Sequence, residues 1–184
     1  ELDKIPPYMK ERFQVLVDHS LYPLGAGWQQ TRSLMAIGGG RLTGQGLLHG
    51  AQTQSTSSVN LPFRHTDFIF SVIGEELGLV GCLVVIVLLA AIIFRVLLVA
   101  KNAQTPFHSY ICVGMAAMLI FQTIINIGMC LFIMPVIGIT LPFFSYGGSS
   151  VVTLFMAMGM VSGIKKRSPT MRRPGRPLPG RTIG

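Results

Sequence analysis

The sequence predicts an all-α integral membrane protein in which three transmembrane helices follow a large extracytoplasmic loop. Half of the 184 residues are hydrophobic and 12% are charged, whereas about 25% are charged in an average soluble domain. Three apolar runs each approach the length of about 20 residues that crosses a bilayer. Lysine and arginine stand at the ends of these runs, which argues against a nucleic-acid partner, because a nucleic-acid binder gathers its basic residues on a soluble face.

The first apolar run is the most hydrophobic of the three. It is rich in Leu, Val and Ile, and Arg95 near its far end is able to snorkel to the membrane surface. In the second run, Gln122, Thr123 and Asn126 recur about one helical turn apart, which indicates a polar face turned toward protein. The predicted spans cover about 78–100, 110–132 and 143–164.

The placement of charge predicts the orientation. All seven acidic residues lie at or before Glu76, whereas residues 77–184 carry nine Lys/Arg and no acid. The loop after the first span and the tail after the third hold these basic residues, and by the positive-inside rule they face the cytoplasm. Residues 1–77 and the loop 133–142 then face outward. Residues 165–184, rich in proline and arginine, are predicted to form a disordered cytoplasmic tail.

Two stretches of the outer segment have a recognisable local pattern. "GWQQTRSLMAIGGG" predicts one short helix, and the following "GGGRLTGQGLLHG" predicts a loop. Its glycines would allow a backbone to approach a phosphate closely, or simply allow a tight turn with positive φ. A P-loop is excluded because no Gly-Lys-Ser/Thr follows. The histidines and the three cysteines lack the spacing of a metal site.

Three carboxylates stand where the first apolar run begins, in "RHTDFIFSVIGEELG". Glu75 and Glu76 are expected at the outer end of the span, solvated by water or headgroups. Asp67 is expected at the membrane surface, where two interpretations stay open. Thr66 or Asp67 would cap the following helix, where an acid suits the helix dipole. Alternatively, Asp67 acts as a base at the interface.

The third run opens with "PFFSYGGSSVV". Small residues in a membrane helix allow close helix packing, and hydroxyl groups bond across helices. The alternative is that Ser145 and Tyr146 line a polar cavity.

Three motifs carry a family resemblance. "PLGAGWQQTRSLMAIGGGRLTGQG", "RHTDFIFSVIGEELG" and "MPVIGITLPFFSYGGSS", in this order and spacing, resemble the SEDS family, the RodA/FtsW/SpoVE membrane glycosyltransferases. The resemblance covers nearly all of residues 10–165. It is greatest to RodA, because "NIGM" precedes "PVIGITLPFFSYGG". The chain is similar to the last three of about ten family helices, with the outer loop before them, and therefore resembles a C-terminal portion.

The resemblance implies an activity, a partner and a location. SEDS proteins polymerise lipid II, an undecaprenyl-pyrophosphate disaccharide-peptide, into glycan strands for cell-wall elongation, cell shape and division. They are multi-pass proteins of the bacterial cytoplasmic membrane and work with a class B penicillin-binding protein transpeptidase. The family's essential aspartate lies in the His-Thr-Asp stretch, and that position here is Asp67. The expected contacts to the substrate are Arg64, Arg41, His65, Ser145 and Tyr146. The two arginines are expected to help hold its pyrophosphate bidentately, unless they are solvated surface charges. No cofactor is certain, and a divalent cation is left open.

The sequence departs from the family at two positions. Many relatives carry Glu where this chain has Val59, and a charged residue where it has Phe63. An accessory carboxylate is therefore not carried over, and this stretch alone is expected to be inactive. Two other functions stay open: a lipid II flippase, which would need a continuous polar path, and a non-catalytic membrane scaffold for a transpeptidase, which would tolerate Asn at residue 67.

Overall fold

The computed structural model describes residues 26–51 and 66–168, and the regular secondary structure in these ranges is entirely α-helical. The predicted all-α class is therefore confirmed for this part of the chain. The segments 1–25, 52–65 and 169–184 lie outside the described residues. The four helices are α1 (Ala26–Gly39), α2 (Ile69–Lys101), α3 (Pro106–Cys130) and α4 (Gly148–Arg167).

Helix α2 is central and is broken once. It packs most extensively against α3 and α1. At Gly78 the backbone has φ 67° and ψ −164°, so α2 consists of a short first part and a long second part that meet at a kink. The first predicted span began at this residue, and it corresponds to the second part of α2. The positive φ explains the residue type, because glycine adopts this conformation without a Cβ clash.

The glycine-rich loop after α1 completes the hydrogen bonding that the kink interrupts. The amides of Leu79 and Val80 donate to the carbonyls of Arg41 and Leu42, at 3.0 and 3.3 Å. In return, the amides of residues 45 and 46 donate to the carbonyls of residues 75 and 76, at 2.9 and 3.0 Å. Buried backbone groups need such partners. The loop therefore replaces the helical bonds that α2 lacks at its kink.

The close approach of these two backbones requires glycine. A Cβ atom at Gly40 would lie 1.9 Å from the carbonyl oxygen of Gly74, and one at Gly44 would lie 2.1 Å from that of Glu76. Gly44 also has a φ of 81°. The structure thus accounts for these glycines as a tight loop against α2, which was one of the two interpretations that the sequence left open.

Glu75 and Glu76 are not solvated, so the prediction for them is wrong. Their exposed fractions are 0% and 7%, because the glycine-rich loop lies over this part of α2 and bonds to both of their carbonyls. Both residues have further interactions within the protein. The sequence pattern placed them at the end of an apolar run, and it did not show that the loop folds back over that end.

The connection between α2 and α3 is short, and α3 is capped. The side chain of Thr105 accepts a hydrogen bond from the His108 amide, and Pro106 opens the helix. Pro suits this position because its missing N–H would have had no helical partner. The connection also bonds to the end of α4, through Gln104 to the carbonyl of Arg167 and through Ser168 to the carbonyl of Asn102.

Helix α4 begins at Gly148, five residues later than the start of the third predicted span. The reason is local, because the backbone from Leu141 to Ser145 forms a turn instead. The Leu141 amide donates to Ser145 Oγ at 2.7 Å, and the Ser145 amide donates to the Leu141 carbonyl at 3.1 Å. At its other end α4 includes Lys165, Lys166 and Arg167, which the sequence had assigned to the tail.

Helices α2, α3 and α4 are each long and apolar enough to cross a membrane. Large apolar side chains on their outer faces are exposed, which suits a surface that meets lipid or further helices. The buried apolar residues form two clusters. One surrounds Phe68, Val85 and Leu141, and the other lies near Val99, Ala116 and Val161 at the opposite ends of the helices.

Candidate functional site

Asp67 lies in a turn that spans Thr66–Phe68, immediately before α2. The N-cap residue of α2 is Phe68, and no side chain forms a capping hydrogen bond there. The prediction that Thr66 or Asp67 caps this helix is therefore wrong. Phe68 is fully buried in the first apolar cluster, which anchors the turn. The other interpretation of Asp67, as a base at the interface, stays a prediction.

The surroundings of Asp67 raise the basicity of its carboxylate. Partial burial raises its pKa above 3.8, and a hydrogen bond with the Thr66 side chain opposes this rise without cancelling it. Desolvation has this effect because it disfavours the charged form of an acid. A carboxylate with a raised pKa accepts a proton more readily in a reaction near neutral pH.

Asn126 of α3 holds the backbone beside this carboxylate. Its side-chain amide donates to the carbonyl of Asp67 at 2.9 Å and to the carbonyl of Ile139 at 2.7 Å. Both N–H groups of one buried amide thus join the Asp67 turn to the loop between α3 and α4. The residue is 0% exposed, and its Oδ1 has no hydrogen-bond partner in the part of the chain that the structure describes.

Ser145 forms a second connection between the same two segments. Its Oγ donates to the Thr66 carbonyl at 2.6 Å and accepts from the Leu141 amide. The side chain is buried, so its hydroxyl is engaged within the protein as both donor and acceptor. Tyr146, the next residue, is 81% exposed. The two predicted contacts to the substrate therefore differ, since one faces the protein interior and the other faces outward.

Gly138 lies against the Asp67 carboxylate. It has a φ of 78°, and a Cβ atom at this position would lie 3.4 Å from Oδ2 of Asp67. Any side chain there would contact the carboxylate and would also strain the backbone. The loop between α3 and α4 thus passes beside Asp67 with a residue that leaves the carboxylate uncovered.

Helix α1 supports the end of α3 from which this loop leaves. The Gln30 amide donates to the carbonyls of Met129 and Met134, at 3.2 and 2.6 Å. Ser33 donates to the Cys130 carbonyl at 2.8 Å and its hydroxyl also meets that of Ser71. These buried bonds satisfy carbonyls that the helix end and the loop would otherwise leave without partners.

The structure does not bring all of the predicted site residues together. The Arg41 side chain is exposed, and its carbonyl bonds to residue 79, about three helical turns along α2 from Ile69. Arg64 and His65 lie outside the described residues. The roles of Arg41, Arg64, His65, Ser145 and Tyr146 in substrate binding stay predictions.

Sequence reasoning missed Gly138 and Gln30 and gave Asn126 only a general polar role. The signal for Asn126 was present, because an amide in an apolar run needs a partner inside the protein. The partners themselves are 59 and 13 positions away, so no local pattern identifies them. For Gly138, a lone glycine between Ile137 and Ile139 indicated a special backbone conformation but not its neighbour.

Comparisons with known proteins agree on a single family. The family model described as "Cell cycle protein" and named for FtsW, RodA and SpoVE matches residues 4–169. The peptidoglycan glycosyltransferase MrdB of Escherichia coli K12 is 45% identical over 157 residues, which cover 85% of this chain and 42% of that protein. The stage V sporulation protein E of Bacillus subtilis is 38% identical over 162 residues, which cover 88% of this chain and 43% of that protein.

A solved structure has the same fold. A chain of a peptidoglycan synthase complex, studied for its coordination of polymerization and crosslinking, matches with a TM-score of 0.68 and 32% identity, over 87% of this chain and 42% of that one. The present chain thus spans less than half the length of the relatives that it matches. With the family model covering residues 4–169 and these similarities in sequence and fold, the chain belongs to the family of FtsW, RodA and SpoVE.

Proposed function

We propose that the protein to which this stretch contributes is a peptidoglycan glycosyltransferase that polymerises lipid II, with Asp67 as the catalytic base. The observation that carries the proposal is the environment of the Asp67 carboxylate. Its carboxylate is partly buried, has a raised pKa and is not the cap of α2. It lies beside Gly138, which has no side chain to cover it. The relative MrdB, named as a peptidoglycan glycosyltransferase, supports the same reaction.

The reaction needs a base at the membrane surface. The 4-hydroxyl of one sugar attacks the anomeric carbon of another, the new glycosidic bond forms, and the bond from that carbon to the lipid pyrophosphate breaks. A hydroxyl is a poor nucleophile until a base accepts its proton. Asp67 takes that proton and the pyrophosphate leaves as an anion. Both substrates are lipid-anchored, and Asp67 lies two residues before a helix that can cross a membrane.

Asn126 and Ser145 are positioning residues in this proposal. Neither donates a hydrogen bond to the carboxylate itself, but each fixes a backbone carbonyl of the turn that carries it. The same two side chains also hold the loop containing Gly138, through Ile139 and Leu141. Catalytic rates depend on such placement, because a displacement of about 1 Å can lower a rate about 100-fold.

The partner and location follow from the same proposal. The matching structure is a peptidoglycan synthase complex, which supports a penicillin-binding protein transpeptidase of class B as the partner. The three candidate spans support the bacterial cytoplasmic membrane, with Asp67 outside and the end of α4 inside. Among residues 26–51 and 66–168, no three His, Cys, Asp or Glu side chains are grouped to hold a metal ion, so a divalent cation has no assigned ligands here.

The test compares Asp67→Asn with wild type in the full-length enzyme, with its transpeptidase partner and lipid II in detergent. Asn has nearly the same shape but cannot accept the proton, so polymer formation is expected to fall by about 10²–10⁴-fold. Asp67→Glu, which keeps a carboxylate, should retain part of the activity. Membrane levels and size-exclusion profiles of the variants serve as the folding control. Polymerisation by Asp67→Asn at nearly the wild-type rate would remove the catalytic assignment.

A flippase is the second candidate, favoured by polar atoms inside the apolar helix α3. Gln122 Oε1 and Asn126 Oδ1 are buried and have no hydrogen-bond partner among the described residues. They would contribute to a polar path for a headgroup. The detergent assay separates the two functions, because it has no second compartment and a pure flippase would make no polymer in it.

A further inference from the structure

A cavity of about 340 Å³ lies between α2 and α4, at the end of the helices opposite to Asp67. Arg95, Val96, Leu98 and Val99 line it from α2, and four residues of α4 line it from the other side. Most of the lining residues are apolar, and the others are two cationic side chains and one with a hydroxyl group. The α4 residues are Met158, Val161, Ser162 and Lys165.

The two cations have no carboxylate near them on these helices. From residue 77 to residue 184 the sequence contains no Asp or Glu. Glu76 is 19 positions before Arg95, which corresponds to about 28 Å along a helix. Lys165 stands in the last turn of α4, where the helix dipole favours a cation. Arg95 lies well before the end of α2 at Lys101, so the helix dipole does not explain why a cation stands at this position.

We propose that this cavity binds the headgroup of an anionic phospholipid. The phosphate lies between the Arg95 guanidinium and the Lys165 ammonium and accepts a hydrogen bond from the Ser162 hydroxyl. The acyl chains run along Val96, Val99 and Met158. Basic pockets between transmembrane helices suit anionic headgroups, and hydrogen bonds between ionised groups are about twice as strong as neutral ones. A zwitterionic lipid gains less, because its own ammonium group is repelled by the two cations.

The proposal does not depend on the proposed enzymatic activity. The cavity is bounded by the second apolar cluster, whereas Asp67 is bounded by the first, and the two lie at opposite ends of α2. Lys166 provides a matched control. It is exposed, carries the same charge and follows Lys165 directly, but it does not line the cavity.

The experiment measures lipid binding to the purified full-length protein by native mass spectrometry, with phosphatidylglycerol and phosphatidylcholine of the same acyl chains as probes. Arg95→Gln and Lys165→Gln are each expected to weaken phosphatidylglycerol binding by at least about tenfold, the loss of one hydrogen bond to a charged group. Lys166→Gln removes diffuse attraction alone, worth about fivefold at most. Phosphatidylcholine binding should be the same in all variants.

Ser162→Phe tests the cavity without changing the charge. Its aromatic ring should fill the space and weaken phosphatidylglycerol binding as strongly as Arg95→Gln does. Equal unfolding temperatures in lipid-free detergent show that each variant is folded. Losses in Arg95→Gln and Lys165→Gln no greater than in Lys166→Gln would overturn the proposal in favour of diffuse surface attraction. Complete displacement of phosphatidylglycerol by soluble glycerol phosphate would also overturn it, because the site would then bind the free anion.

Discussion

The two ends of the helix bundle are stabilised by different interactions. At the Asp67 end, helices stop or kink, and buried polar groups complete the hydrogen bonding of the irregular backbone, as Gln30 and Asn126 do. At the end that carries Arg95 and Lys165, which we call the basic end, α2 and α4 are regular helices that pack through apolar side chains. Among the described residues, polar side chains form hydrogen bonds there only where the helices end, as Gln104 does. The first end is built to fix the position of backbone atoms, whereas the second places cations around an open cavity.

Membrane physics explains why the irregular end needs so many internal partners. A backbone group without a partner costs several kcal/mol in a lipid environment, so non-helical segments must be satisfied by protein. The kink at Gly78, the Asp67 turn and the loop that includes Gly138 are three such segments. Each forms hydrogen bonds with at least one other element. A carboxylate carried by such a turn is held by several elements at once, which suits a site that must keep its geometry.

The largest expected effect is a loss of stability when a glycine at the Asp67 end is replaced. A glycine in α4 at the basic end serves for comparison. Gly44→Ala should destabilise the protein by about 3–6 kcal/mol, because of its positive φ, a clash with the Glu76 carbonyl and the loss of bonds across the kink. Gly163→Ala in α4, where a Cβ atom meets nothing within 4 Å, should be neutral or stabilising by up to about 1 kcal/mol. Denaturant unfolding of the full-length protein in detergent measures both, and equal effects would contradict the contrast.

Much of this architecture could be predicted from the sequence, and the comparison between the ends shows which part. The helices of the basic end followed from the apolar runs, since α2, α3 and α4 are regular there, although α4 extends to Arg167 and so includes residues that were assigned to the tail. The helix α1 and the tight glycine-rich loop were also indicated. The burial of Glu75 and Glu76 was not, because it depends on a loop more than 25 positions earlier in the chain. Contacts between distant segments decide the Asp67 end, and no local pattern encodes them.

The next effect is on catalysis and tests whether the polar bonds at the Asp67 end position the carboxylate. Asn126→Ala should lower kcat by about 10–100-fold, because both the Asp67 turn and the loop at Ile139 lose their common donor. KM for lipid II should change by much less. The matched control is Gln104→Ala at the basic end, where an amide also donates to a backbone carbonyl, that of Arg167.

The pH dependence of kcat/KM distinguishes a positioning role of Asn126 from a general loss of folded protein. If Asn126 holds the turn in its partly buried place, Asn126→Ala should let water reach Asp67 and move the acidic limb of kcat/KM toward the lower, ordinary range. A purely structural loss would lower the amount of active enzyme and leave the limb where it was. Loss of activity with an unchanged limb, or an equal loss in Gln104→Ala, would therefore argue against the positioning role.

The smallest expected effect is again on stability, and its sign is set by the pKa of Asp67. Burial raises that pKa above 3.8, so the folded protein binds a proton in a range where the unfolded chain has already released it. The contribution of Asp67 to stability is therefore greatest below pH 3.8 and is lost as pH rises through the folded-state pKa. Asp67→Asn removes this loss, so its unfolding temperature relative to wild type should increase with pH across that window and stay constant above it.

Lys166→Gln at the basic end should show no such dependence in the same range. A relative stability of Asp67→Asn that falls with rising pH would mean that the folded protein favours the charged carboxylate, and the basicity assigned to Asp67 would then be wrong.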